Sequence, residues 1–206
     1  MPSSRRDGFV TGLVLGAGGS RRLGRPKQLL PYGSKTLLGH VLDTARACPF
    51  DQLIVALGGA ADGVREQVDL SRTKVVVNDA FGSGCSSSIA AALGAIDARA
   101  EFLVLMLGDM PGVTVETVEA VIAASAEASL AVCQYDDQRG HPFRFHRRMF
   151  GELSNLHGDK GVWRLLDQRA DEVVEVRIAG PVPLDVDTPE DYEAVLAAAG
   201  FVEARA

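Results

Sequence analysis

The hydrophobic positions of this chain fall into short unbroken runs separated by longer stretches of mixed polarity. Phe9–Leu15, Gln52–Leu57 (QLIVAL), Lys74–Asn78 (KVVVN) and Phe102–Leu107 (FLVLML) read as strands. Between them, Thr36–Cys48, a segment through Val64–Val68, Ser86–Ala98 and Thr114–Ala126 carry helical patterns. Strands that are apolar throughout, rather than alternating, are buried on both faces, as in a largely parallel sheet. Their regular alternation with helices predicts a three-layer, doubly wound, Rossmann-like α/β fold with helices on both faces of the sheet.

After Ala128 the pattern loosens. Ser129–Tyr135 and His141–Phe145 read as strands flanking a turn at Asp136–Gly140, DKGVWRLLDQ as a helix and EVVEVRI as extended chain. DTPEDYEAVLAAAG reads as a closing helix, with Thr188 or Asp187 as its cap and Pro189 in its first turn. No repeat or linker divides the chain, so residues 9–206 are expected to form one domain behind a flexible polar segment, 1–8.

In doubly wound sheets ligands sit outside the carboxyl ends of the strands. The segments found there are GAGGSRRLGRPK after the first strand, NDAFGSGCSSS after the third and GDMPG after the fourth. All are rich in glycine, hydroxyls or carboxylate. The net charge of −6 speaks against sequence-independent nucleic-acid binding and against a polybasic membrane surface. It also makes the cluster Arg21, Arg22, Arg25 and Lys27 stand out, and implies an anionic ligand at that loop. The three cysteines, Cys48, Cys85 and Cys133, lack metal-ligand spacing and read as reduced thiols of a cytoplasmic protein. No signal peptide or membrane-spanning run is visible.

The first loop fits neither familiar phosphate motif. Gly16 and Gly18 begin a dinucleotide fingerprint, but Arg21 stands where the third glycine belongs. Gly19 and Gly24 have Walker A spacing, but Arg25-Pro26 replace the lysine and hydroxyl. What remains is a glycine turn that brings backbone amides close to a ligand, with Arg22 and Lys27 adding charge for a polyphosphate. Asp109, directly after an apolar strand, is a natural ligand for a hard cation, or else a turn aspartate bonded to its own backbone. Asp187 is a second such carboxylate, or a helix cap, and Asp185 could substitute for it. Trp163 fits a helix face. Arg139 and Arg144 read either as contacts for a negatively charged acceptor or as a solvated hairpin.

Leu15-x-Ala17-Gly18-x-Ser20-x-Arg22-x-Gly24-x-x-Lys27 resembles the signature of the MobA-like nucleotidyltransferases, and Gly108-Asp109-Met110-Pro111 resembles their metal-binding motif. Asn78…Phe81…Gly84-Cys85-Ser86-Ser87-Ser88, Gly140-His141-Pro142, Gly158-Asp159-Lys160-Gly161 and DVDTPEDY resemble the molybdenum cofactor cytidylyltransferase branch. The resemblance runs from about Val10 to Leu196. It implies transfer of a nucleoside monophosphate, CMP from CTP, to molybdopterin with release of pyrophosphate, and delivery to a recipient molybdoenzyme. Leu15, Gly16, Ala17, Gly18, Gly19, Ser20, Asn78 and Ser86 would then hold the NTP, with Arg22, Lys27 and Asp109 as the catalytic set. Asp109 and Asp187 would bind Mg²⁺, while Ser87, Ser88, His141 and Asp159 would face the acceptor, His141 from a turn. The branch patterns L-A-A-G (cytidylyl) and L-A-G-G (guanylyl) meet Leu15-Gly16-Ala17-Gly18 here: Ala17 has the cytidylyl form and Gly16 has neither. GTP, a sugar-phosphate acceptor, or a carrier that binds the finished cofactor without turnover are the competing readings.

Overall fold

The computed structural model describes residues 8–20 and 22–201; the expected flexible segment 1–8, apart from Gly8, and Arg21 lie outside them. The elements follow the chain as β1 (Phe9–Gly16), β2 (Pro31–Tyr32), β3 (Lys35–Thr36), α1 (Leu37–Ala47), β4 (Gln52–Leu57), α2 (Ala61–Gln67), β5 (Lys74–Val77) and α3 (Cys85–Leu93). They continue as β6 (Ala100–Leu107), α4 (Val115–Ile122), β7 (Leu130–Gln134), β8 (Arg139–His146), α5 (Phe150–Ser154), α6 (Gly161–Gln168), β9 (Val173–Arg177) and α7 (Pro189–Ala198).

The strands form a seven-stranded sheet in the order β5-β4-β1-β6-β8-β7-β9. β8 runs antiparallel to both its neighbours, and every other pairing in the sheet is parallel. This is the mostly parallel three-layer α/β sheet expected from the sequence. Alternate residues of β1 feed opposite cores: Val10 and Val14 pack with Leu38, Val41, Val64 and Val118 from α1, α2 and α4. Leu13 and Leu15 pack with Ile89, Leu153 and Leu165 from α3, α5 and α6. Dispersion and loss of apolar surface to water on both faces fix β1 at the centre. A third cluster seats α7 on the β2–β3 hairpin through Leu30, Tyr32, Val186, Tyr192 and Leu196. No helix among the described residues is long and apolar enough to cross a membrane.

Two helices stop earlier than the apolar pattern predicts, and each for an identifiable reason. α3 ends at Leu93: the Asp97 N–H that would bond the Leu93 carbonyl donates to Gln52 Oε1 at 2.9 Å instead, and Gln52 Nε2 (3.0 Å) and Lys74 Nζ (2.8 Å) take the Ala95 carbonyl beyond the end. α4 ends at Ile122 because Arg144 collects the carbonyls of Ile122 (3.1 Å), Ala124 (2.7 Å) and Ser125 (2.6 Å). Arg144 is therefore neither an acceptor contact nor part of a solvated hairpin. It is 1% exposed, and its guanidinium lies over the Phe102 ring at 4.5 Å.

Candidate active site

The carboxyl ends of β1 and β6 and the start of β8 meet around a cavity of about 360 Å³. β1 and β6 approach closely there because Gly108 has no side chain. A Cβ at that position would lie 2.9 Å from both the Leu15 carbonyl oxygen and Leu38 Cδ1, and the Gly108 N–H donates to that same carbonyl at 2.9 Å. Asp109 is thereby delivered beside the glycine loop.

Leu15, Gly16, Ala17, Gly18 and Gly19 line the cavity. The loop is braced from behind by Gln28, which is 3% exposed and whose Nε2 donates to the carbonyls of Gly16 (2.8 Å) and Gly18 (3.0 Å). Its Oε1 is buried without a hydrogen-bond partner. Sequence reasoning passed over Gln28; the signal available was a polar residue between Lys27 and Leu29-Leu30. Ser20 shapes the loop instead of lining this cavity: at φ 48° its Oγ accepts the Lys27 N–H at 2.8 Å. It borders an adjoining recess with Arg25, Gly59 and Phe81.

Lys27 sits at the centre of the charged side. Its Nζ donates to Asp187 Oδ1 at 2.9 Å and to the Val186 carbonyl at 3.0 Å, and it ion-pairs with Asp109 Oδ2. Arg22, outside the cavity lining, reaches Asp187 Oδ2 at 2.8 Å. Burial opposes the Lys27 ammonium, but Asp109 and Asp187 outweigh it and hold its pKa above the usual lysine value. Burial pushes the Asp109 carboxyl up against the pull of Lys27. The hydrogen bond from Lys27, with Arg22 adding its charge, holds Asp187 below the usual carboxylate range. Asp187 does not cap α7; Thr188 does, in a reciprocal box with Asp191.

Among the described residues no group of three or more His, Cys, Asp or Glu is placed to hold a metal. Asp109 and Asp187 nonetheless share one cation, Lys27, and hard carboxylate oxygens suit Mg²⁺ or Mn²⁺. Such ions are commonly held by one or two protein carboxylates, with substrate phosphates and water supplying the rest. The donor set fits a divalent ion bound together with a nucleotide.

The segment after β5 is largely self-satisfied. Asn78 Nδ2 donates to Ser87 Oγ (2.8 Å) and Ser88 Oγ (3.0 Å), and its Oδ1 accepts the Ala80 N–H at 3.0 Å. Ser86 Oγ donates to the Gly158 carbonyl at 2.6 Å and Ser87 Oγ to Gly84 at 2.7 Å. Of these four, Ser88 alone lines the cavity. Asp159 also lines it, while its Oδ1 accepts the Cys85 N–H at 3.0 Å. Gly84 permits that junction: its φ is +106°, and a Cβ would collide with Gly158 at 2.8 Å.

The opposite wall is aromatic. The His141 and Phe143 ring centroids lie 4.0 Å apart, and Trp163 meets Phe143 edge-on at 5.1 Å. His141 belongs to β8, in keeping with the strand reading of His141–Phe145 and not with the turn placement that accompanied the resemblance; the turn closes earlier through Tyr135 N–H to the Gln138 carbonyl at 3.0 Å. Burial lowers the His141 pKa to about 3, so the ring is neutral at physiological pH. Trp163 was expected on a helix face; it sits on α6 and also borders the cavity. Arg139 turns away to Glu175, with Nε 2.8 Å from Oε1. Burial raises the Cys85 thiol to about 11, leaving it protonated.

Residues 12–173 match the family described as the MobA-like NTP transferase domain. The chain belongs to this family. It is 31% identical over 169 residues to nicotine blue oxidoreductase of Paenarthrobacter nicotinovorans, covering 78% of this chain and 82% of that protein. A solved homologue of Rv0371c from Mycobacterium sp. strain JC1 is 57% identical, with a TM-score of 0.87 over 92% of this chain and 96% of that one. Rv0371c of Mycobacterium tuberculosis H37Rv, solved in complex with manganese, is 48% identical, with a TM-score of 0.84 over 92% and 98%.

Proposed function

We propose that this NTP transferase moves CMP from CTP to the terminal phosphate of a molybdopterin-type cofactor and releases pyrophosphate, before the product passes to a recipient molybdoenzyme. The observation that carries the reading is one cavity with two chemically different sides. A glycine loop with Lys27, Asp109 and Asp187 forms one side; an uncharged aromatic wall of His141, Phe143 and Trp163 forms the other.

The loop backbone at Ala17, Gly18 and Gly19 would hold the triphosphate, and Lys27 and Arg22 would neutralise it. Asp109 and Asp187 would hold Mg²⁺ or Mn²⁺, which when bound screens the charge between phosphate groups; the manganese complex of Rv0371c supports this. An acceptor phosphate oxygen, already ionised at neutral pH, forms a bond to the α-phosphorus. The bond from that phosphorus to the bridging oxygen breaks, and pyrophosphate leaves with its electron pair. No protein nucleophile is needed; the chain positions both reactants in line and compensates charge. The aromatic wall supplies flat apolar contact for a pterin ring, and neutral His141 can give or take one hydrogen bond without competing for a proton. Ser88 and Asp159 offer polar contacts beside it.

Ala17 supports cytosine as the base. Arg21, in the third glycine's place, argues against the dinucleotide binding that a redox role on this fold would require. The test is pyrophosphate release across the four NTPs, with and without molybdopterin. CTP should lead by at least tenfold, equivalent to about 1.4 kcal/mol, and only when acceptor is present. Equal or faster use of GTP overturns the base assignment. Tight cofactor retention without pyrophosphate release would make the protein a carrier.

A further inference from the structure

We propose that Lys27 and the divalent cation alternate on the same two carboxylates, so that metal entry and transfer of Lys27 to the nucleotide phosphates are one coupled event. This rests on the metal reading given above and concerns how the chain manages that site.

The argument begins with donor count. An ammonium has three N–H donors and no acceptor. Lys27 Nζ has three oxygen partners: Asp187 Oδ1, the Val186 carbonyl and Asp109 Oδ2. None of its donors is left for a phosphate. The residue placed to bind nucleotide is thus fully engaged with the residues placed to bind metal.

Sharing two carboxylates sets the two cations against each other. A divalent ion held by Asp109 and Asp187 would sit on the same two carboxylates that Lys27 contacts through Asp109 Oδ2 and Asp187 Oδ1. With Lys27 kept in place, two like charges would share those carboxylates in a pocket where the Lys27 and Asp109 side chains are only 12% and 14% exposed. Repulsion at such distances is weakly screened by solvent. The two cations therefore compete, and a bound dication favours departure of the ammonium.

Lys27 has somewhere to go. Its stem runs along Gly18, where a Cβ would lie 3.0 Å from Cε and 3.6 Å from Nζ. The ammonium therefore already borders the loop backbone proposed to hold the triphosphate. A lysine is a compact charge on a flexible stem and can exchange partners over such a short path. Arg22 meets the other oxygen of Asp187 at 2.8 Å from a largely exposed position, so its charge is better screened than that of Lys27.

The full-length protein should be titrated with Mn²⁺ in the absence of nucleotide, following free Mn²⁺ by electron paramagnetic resonance, for wild type and Lys27→Met. Lys27→Met is expected to bind Mn²⁺ at least tenfold more tightly, and adding Asp109→Asn should abolish the gain. Equal affinity of the two proteins, weak or tight, overturns the alternation and leaves the metal reading standing. Absence of Mn²⁺ binding by either protein, even with CTP present and beyond what CTP alone binds, overturns the metal reading itself. Should Lys27→Met fail to fold, Lys27→Gln replaces it. Wild type with ¹⁵N-labelled lysine then gives an independent readout. Mg²⁺ and CTP should shift the Lys27 ammonium signal as it changes partners, and a signal unchanged at saturation overturns the proposal.

Discussion

Asp187 and Thr188 are neighbours in the chain with separate duties: Thr188 Oγ1 accepts the Asp191 N–H at 3.2 Å and caps α7, while Asp187 turns to Lys27 and Arg22. Their substitutions should separate in the same way. Thr188→Ala is expected to lower unfolding free energy by about 1 kcal/mol and leave kcat/KM within about twofold. Asp187→Asn should lower kcat by roughly 100-fold, the scale of losing one electrostatic contact in a transition state. Urea denaturation and steady-state pyrophosphate release on both variants check the pair, and a crossed result would reverse the assignment of cap and ligand.

Gln28 tests the brace behind the glycine loop. Gln28→Glu keeps size and shape but turns an oxygen toward the carbonyls of Gly16 and Gly18 in a buried place. It should cost at least about 2 kcal/mol of stability and raise the KM for CTP more than Gln28→Ala does. Equal KM values for the two variants would mean that the brace does not set loop geometry.

His141 gives the pH dependence a sign. Its folded pKa, about 3, lies below its unfolded value. Between those values the unfolded chain binds the extra proton, so stability falls as pH drops from about 6.5 toward 3. The slope is at most about 1.4 kcal/mol per pH unit. In His141→Gln that slope should be absent, read as converging urea midpoints for wild type and variant between pH 7 and pH 4. Parallel curves would contradict a neutral, enclosed ring.

Gly16, the position that matches neither branch pattern, has a packing explanation. A Cβ there would lie 3.3 Å from Leu38 Cδ2 and from Leu57 Cδ2, pointing into the core between β1 and α1. Gly16→Ala should therefore change stability by about 1 kcal/mol, the overpacking cost partly offset by a stiffer unfolded chain. The CTP to GTP ratio should stay unchanged; a shift of tenfold would restore Gly16 as a base determinant.

Arg144→Leu should cost at least about 3 kcal/mol, since the carbonyls at the end of α4 lose their buried donor. The KM for acceptor should hold steady in whatever fraction remains folded.

The central strands were legible because burial on both faces writes an uninterrupted apolar run; β4 begins and ends where QLIVAL does. The ends of α3 and α4 were not, because the groups that stop them, Gln52, Lys74 and Arg144, come from distant parts of the chain. The family resemblance brought Lys27, Asp109 and Asp187 into one reading, where Asp187 alone read as readily as a helix cap, and the fold brings them together. Asn78, Ser86 and Ser87 look the same in sequence whether they face a ligand or a backbone carbonyl. Here their bonds go to neighbouring hydroxyls and carbonyls.

The single reversed strand has a consequence for how this scaffold can diversify. β8 brings the beginning of a strand, with His141 and Phe143, to the edge where β1 and β6 bring their ends. The two sides of the cavity thus hang from connections that run in opposite senses and are far apart in sequence. The β7–β8 hairpin can lengthen or change composition without disturbing the loop that follows β1. Under the proposed function, one lineage could exchange its acceptors while inheriting its triphosphate grip intact.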